Sequence, residues 1–374
     1  MGPTNDDGNH NADDTKQEQQ QQDQEEFQSI LAAAEEHVRG ERLLRAARVL
    51  SQLPASHRTP RHEEILAMAA DFEHAIADLI QDPMKQQQQD DDDDGPAWKK
   101  QGETHGKRDA LIFYKVDDQA RLTCRIETAI EASLLVPILS VLNESDLYAT
   151  WIPSWTMPKM GLDSSEQLEQ SSRGTQTIRI LANVPWPYTK REALIKAVAV
   201  DEIDERGFVA IRITSNVPVG GVVPPPNPRI AERIDFEGAM LLRPCPRHHE
   251  LLLKSKHVYR EPVILVSFKM FADPRMTGIP TALINFITRT VIGTIWAMFL
   301  SVGEDVRNGN RPQHEQAIAE KKDFYDWMAV RIGILLEKAA VQDPLPRTTV
   351  APNKSPSEAI DLEAHKAFIS YLQS

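Results

Sequence analysis

The sequence predicts an α+β protein, with one antiparallel sheet and helices collected at its start and end. Three observations carry this. Residues 27–79 place apolar residues at helical spacing. Residues 108–271 hold short alternating or β-branched runs separated by brief turns. A long apolar helix appears only from about Pro280. At 374 residues, 41% hydrophobic and 26% charged, the chain is neither wholly disordered nor a fibrous repeat. Its length suits two domains, or one large domain with extensions.

Residues 1–26 are dominated by Gln, Asp, Asn and Glu, with no large apolar residue after Met1. Such a segment cannot bury enough surface to offset its ordering entropy, so a disordered acidic tail is expected. From Phe27 the spacing becomes helical. Phe27, Ile30, Leu31, Ala34 and Val38 share one face. Leu43, Ala47, Leu50 and Leu53 form a second run, and Ile65, Met68, Phe72, Ile76 and Leu79 a third. Residues 27–82 therefore read as a helical hairpin or small bundle. It is either a module for a protein partner or an appendage on the main domain. Residues 83–107, with four glutamines and the run Asp90–Asp94, read as a solvated acidic linker. Calcium sites want acids spaced around a turn, so that contiguous block is not read as one.

Strands are expected at Leu111–Val116 and Leu122–Ile130, then one or two short helices over 133–150. Further strands follow at Thr175–Val184, Glu192–Val200, Phe208–Thr214, Ile230–Leu242, Glu250–Tyr259 and Val263–Phe271, with Gly207 turning one hairpin. Helices close the chain at about Pro280–Val306 and Gln313–Ala340.

The net charge of −13 is local: residues 1–26 contribute −7 and residues 82–94 contribute −5. The remainder is nearly neutral and lacks the basic surface a nucleic-acid binder needs to displace counterions. Two cysteines, Cys124 and Cys245, cannot build a disulfide framework, and no apolar run follows Met1. A cytoplasmic location, peripheral at membranes at most, is the expectation. Thr281–Val302 is apolar enough to test as a membrane span. Ten strongly apolar residues gain about 4–5 kcal/mol on insertion, but Arg289 alone costs roughly 2.5–3.5 kcal/mol and Asn285 and the hydroxyls add to that. A core helix, apolar almost all round and packed on a sheet, is favoured.

Asn216–Pro228 is longer than a hairpin needs and unusually apolar. It is either a Pro-stiffened connection or a lip at a cavity mouth. For chemistry, the only local cluster is Cys245, His248, His249 and His257, without metal spacing. No catalytic residue, metal or cofactor is assigned.

The segment Pro185-Trp186-Pro187-Tyr188-Thr189-Lys190-Arg191-Glu192 resembles the Trp-Pro-x-x-x-Arg-Asp/Glu segment of the START family, the steroidogenic-acute-regulatory-related lipid-transfer domains. The flanking order agrees. Asp146–Trp151 precedes it. Asn227-Pro228-Arg229, Asp273-Pro274, Gly278-Ile279-Pro280 and the long helix follow. The resemblance covers residues 108–306, leaving 307–374 as a C-terminal helix and tail, and Glu192 stands where Asp is commoner. It implies a helix-grip fold: a curved antiparallel sheet wrapped around a long C-terminal helix, enclosing one lipid. A sterol, a sphingolipid or a phospholipid would suit. Arg191 would tie its turn to backbone carbonyls.

On that reading Ile234 and Phe236 on their strand, and Leu283, Ile287 and Val291 on the helix, face the ligand. Asn227 and Glu232 would read its polar group. Glu232 is either partnered by Arg179 or Arg212, or solvated at the strand start. Trp151 and Trp155 wall the cavity or pack the core. Val217, Val219, Val222 and Val223 form the lid that touches a membrane transiently. Two other readings compete: a lipid-sensing scaffold whose first helices bind a protein, and a helix-grip enzyme.

Overall fold

The computed structural model describes residues 10–82, 96–105, 108–255, 259–276 and 278–342. It divides into two compact units, Met1–His74 and Ala75–Ser374. The first holds α1 (His10–Arg39), α2 (Leu43–Leu50) and most of α3 (Pro60–Ile80). The apolar faces read from the sequence pack together here: Ala34, Leu50 and Leu53 are buried among Phe27, Ile30, Leu31 and Ile65. The difference lies upstream. Residues 10–26, expected without structure, continue α1 as helix, yet Gln21–Glu26 are exposed. Gln and Glu are good helix formers, so the backbone extends there by propensity and not by burial. Residues 1–9 and the aspartate run lie outside the described residues.

The second unit is an eleven-stranded sheet. Its strands are β1 (Lys99–His105), β2 (Asp109–Val116), β3 (Leu122–Glu131), β4 (Trp155–Thr156), β5 (Lys159–Ser172) and β6 (Thr175–Asn183). They continue with β7 (Lys190–Asp201), β8 (Val209–Ser215), β9 (Ala231–Arg233), β10 (Asp235–Pro244) and β11 (Val263–Asp273). The spatial order is β1-β2-β3-β11-β10-β8-β7-β6-β5-β4, antiparallel throughout, with β9 added parallel to β7.

Four expectations change. β1 lies inside the stretch read as linker, so the sheet begins at Lys99. β5 went unread because Ser, Gln and Glu dominate it, as suits a strand near the edge with three irregularities in register. The strand expected at Ile230–Leu242 breaks at Ile234 into β9 and β10. Glu250–Leu253 is a short helix, not a strand. In the β7–β8 connection, Gly207 closes a helical turn, Ile203–Arg206, at φ +68°.

Register defines two faces. One carries Ile112, Ile126, Thr128, Val266, Phe268, Met240, Leu242, Ile211, Ile213, Ile195 and Ile178 in cross-strand rows. We call it the inner face because the C-terminal helix lies on it. That helix runs as α7 (Thr281–Phe286), one π turn (Ile287–Val291) and α8 (Ile292–Arg307). Trp296 stacks on Phe268 and donates its indole hydrogen to Thr128 Oγ1 at 2.7 Å. Thr281–Arg307 is long and apolar enough to cross a membrane, but here its apolar side is spent on the sheet. The π turn leaves the Arg289 carbonyl to accept from Gln101 Nε2 at 2.6 Å.

Further helices close the same core: α4 (Leu135–Asn143), α9 (Pro312–Glu320) and α10 (Lys322–Gln342). Ile138, Ile318, Tyr325, Ile332 and Leu335 are buried in one cluster with Trp296 and Phe299. Residues 307–342, expected beyond the domain, are therefore part of it. On the outer face Arg125 donates to the carbonyls of Asp78 and Leu79.

Gly303 marks the closest approach of α8 to α4. A Cβ there would sit 2.9 Å from Ile138 Cγ1. Gly303→Leu should destabilise the protein by about 1–3 kcal/mol through overpacking, read as a lowered urea midpoint with an unchanged denaturant slope.

Candidate functional site

Burial along the inner face is uneven. At the end where β3 meets Glu131, the positions Thr128, Ile130, Leu242, Ile264 and Val266 are sealed beneath Trp296, Phe299 and Leu300. Toward the opposite end the same rows hold half-buried Leu122, Met270, Ala272, Phe236, Ile213, Ile180 and Ala182, alongside buried Cys124, Gly238, Arg191 and Ala193. The helix over that end is α7 and the π turn, where Leu283, Ile284, Phe286 and Ile287 are likewise half-buried. The candidate site is this half-covered apolar surface between β6–β8–β10–β11 and residues 283–287.

The rims are held by β7. Arg191, 5% exposed, donates to the carbonyls of Thr189 (2.7 Å), Pro274 (2.7 Å) and Arg275 (3.3 Å), and lies 3.3 Å from Glu232. Its expected role as a tie to backbone carbonyls is what the geometry shows. Burial draws its pKa below the ordinary guanidinium value, opposed by the Glu232 carboxylate. The adjacent Glu192 accepts from Arg233 at 2.8 Å, and Arg233 reaches the carbonyl of Pro224 in the apolar loop. One residue thus holds the turn before the long helix, and its neighbour holds the loop.

The sequence-read site residues fall into three groups. Ile234 and Phe236 pack around Ile178, Ala193 and Ile195, and Leu283 and Ile287 are half-buried on the long helix. Val291 is buried, just past the open part. Trp151 is 7% exposed and packs on Tyr148 (5.8 Å) and Phe299 (6.2 Å), within the core cluster. Its Nε1 is buried without a hydrogen-bond partner, a state that costs about 1–3 kcal/mol.

Asn227 and Glu232 are both exposed, and of the readings left open for Glu232 the structure has the solvated one at the strand start. Asn227 is exposed and closes a turn, its side chain accepting from the Arg229 N–H at 3.1 Å. Glu232 is exposed on β9 and paired with Arg191. Arg179 instead meets Glu192 at 3.0 Å, and Arg212 meets Glu237 at 3.1 Å. The break at Ile234 is the reason: an unbroken strand would have set Glu232 among Phe236 and Met240.

In the loop, Val219 and Val222 bond each other's backbone across Gly220 and Gly221, both at positive φ. This tight turn leaves Val222 66% and Val223 42% exposed, while Val217 and Val219 are half-buried. Register places two more exposed side chains at the same end. Trp186 (91%) follows β6 and Met157 (90%) precedes β5, where Gly161 opposes Asn183. Trp155, edge-on to Phe286 at 6.1 Å, was weighed but not assigned; it joins the β4 segment to α7. Met270, Ile213 and Ile180 were missed, since only register shows which member of an alternating run faces the helix.

Burial pushes the Cys245 and Cys124 thiols up to about 12. His249 is engaged with Glu127 at 3.2 Å, and His257 lies outside the described residues.

No family model matches the chain, and no curated protein matches it. Among solved structures it is similar to a fragment of the STAR-related lipid transfer protein from Xanthomonas axonopodis (18% identity, 55% of this chain, 98% of that one, TM-score 0.39). It is similar also to human StAR-related lipid transfer protein 5 (14%, 64%, 98%, TM-score 0.42) and to human STARD10 (12%, 66%, 82%, TM-score 0.40). The helix-grip arrangement of this chain stands on its own strand order and on the long helix against the inner face.

Arg191→Met should leave three carbonyls without their donor and free the turn at 274–280. We expect a stability loss of about 2–4 kcal/mol and faster amide exchange at Leu283–Ile287. Unchanged exchange there would show that Arg191 does not hold the rim.

Proposed function

We propose that the chain binds and carries one apolar lipid, with the half-covered inner face and residues 283–287 as the enclosure. The observation that carries this reading is the graded burial: an apolar surface, continuous with the sealed core, that is more often half-buried toward one end. Enclosing several hundred Å² of lipid there would gain about 25 cal/mol per Å², enough to compete with a bilayer. Sterols, sphingolipids and phospholipids are the classes such an enclosure suits. No bond is made or broken, so the protein acts as a carrier and not an enzyme.

Release requires the loop and α7 to part at a membrane. Val222, Val223, Trp186 and Met157 give that end exposed apolar tips suited to the interface of a bilayer. Such a carrier works from the cytoplasm and touches membranes transiently. A second reading, a lipid sensor whose residues 27–82 bind a protein, draws on a groove of about 210 Å³ in the first unit, where Leu31, Val38 and Ile65 meet the polar Glu35, Arg61 and His62.

Native mass spectrometry of the purified chain should show one lipid per molecule. Ile213→Asp should lower that occupancy at least tenfold without unfolding the protein, because Ile213 is half-exposed and its carboxylate stays solvated until a lipid enters. A chain that never takes up an apolar compound would sink the carrier reading. Trp186→Ser with Val222→Ser should cut sedimentation with phosphatidylcholine vesicles several-fold while lipid occupancy persists. Unaltered sedimentation would place the membrane contact elsewhere.

A further inference from the structure

Resting on the carrier reading, we propose that the lipid carries an uncharged hydroxyl, held between the Trp151 indole N–H and the Ser165 hydroxyl. Among the described residues, three buried polar atoms by the inner face lack a protein partner, Gln101 Oε1 under the π turn, Trp151 Nε1 and Ser165 Oγ, and the last two lie on neighbouring segments. The contrast with Trp296, whose indole hydrogen meets Thr128, is informative, because a buried indole ordinarily finds an acceptor. Ser165 lies opposite Ile180 on β5–β6, and Ile180 opposite Ala193, which sets its hydroxyl on the inner face.

The path of the chain brings the two together. The Asp146 carboxylate accepts from the Gln167 N–H at 2.7 Å, and a Cβ on Gly161 would meet Ser154 at 2.8 Å. Residues 146–154 therefore run beside β5 from Gln167 to Gly161, which sets Trp151 alongside Leu162–Ser165. This stretch is also where the sealed core meets the open end: Tyr148 packs against both clusters.

The chemistry of the pair selects the ligand. The indole only donates; the serine hydroxyl donates or accepts. A lipid hydroxyl accepts from the first and donates to the second. Among the described residues, four charged ones are in inner-face register: Lys99, exposed on the opposite edge strand, Glu232, paired with Arg191, and Arg191 and Asp201 themselves, so a phosphate or a quaternary ammonium would find no free counter-charge in that register near Ser165. Arg191 is held as above, and Asp201 is paired with Arg331. A lipid alcohol fits, whether its hydroxyl comes from a sterol or from a diacylglycerol.

The test is uptake from vesicles by the full chain, with two probe pairs: cholesterol against cholestene, and dioleoylglycerol against dioleoylphosphatidylcholine. We expect at least tenfold preference for the alcohol in one pair, the pair identifying the source. Trp151→Phe and Ser165→Ala should each remove most of that preference while uptake of cholestene is unchanged. Tenfold corresponds to about 1.4 kcal/mol. Uptake without discrimination, or discrimination untouched by both variants, overturns the hydroxyl site and leaves the carrier standing. Absence of any uptake, cholestene included, overturns the carrier reading and with it this one. Should Trp151→Phe not fold, Ser165→Ala alone decides.

Discussion

Strand pairing forces every second side chain of seven adjacent strands onto one surface, and that surface is almost wholly aliphatic. The sealed half of it has an evident source of stability: Trp296, Phe299 and Leu300 press on Val266, Leu242 and Thr128, and α4 and α10 complete the enclosure. The other half has the same composition but lies beneath a helix segment that is itself half-exposed. Ala182, Ala197, Ala199 and Ala272 stand on the same face, so small residues and an incomplete cover lie beside a firm core.

The π turn fits this division. It falls at Ile287–Val291, the junction between the half-covered and sealed stretches, so the helix changes its winding where its surroundings change. β-branched residues cluster there, with Thr288 bonded back to the Ile284 carbonyl at 3.0 Å, a local competitor of regular helical bonding.

Much of the architecture was legible because it rests on periodicity. The alternation Leu122, Cys124, Ile126, Thr128 and Ile130 reads directly as a strand, and the spacing from Phe27 to Leu79 as helices. What escaped was set by partners distant in sequence. β5 has no apolar alternation, since its outer neighbour is a two-residue strand. β1 pairs with no strand but β2. The site was half-legible for the same reason: Phe236 and Ile287 follow from their own elements. The placement of Glu232, by contrast, depends on a break at Ile234 and on a parallel pairing with β7 that nothing local announces.

The adjacency of Arg191 and Glu192 has a mechanical consequence. They point to opposite sides of one strand, the first fastening the segment that leads into the long helix, the second, by way of Arg233, fastening the proline-rich segment. A small twist of β7 at this point would slacken both clasps in a single movement, because the two segments are tied to one strand and not to separate supports.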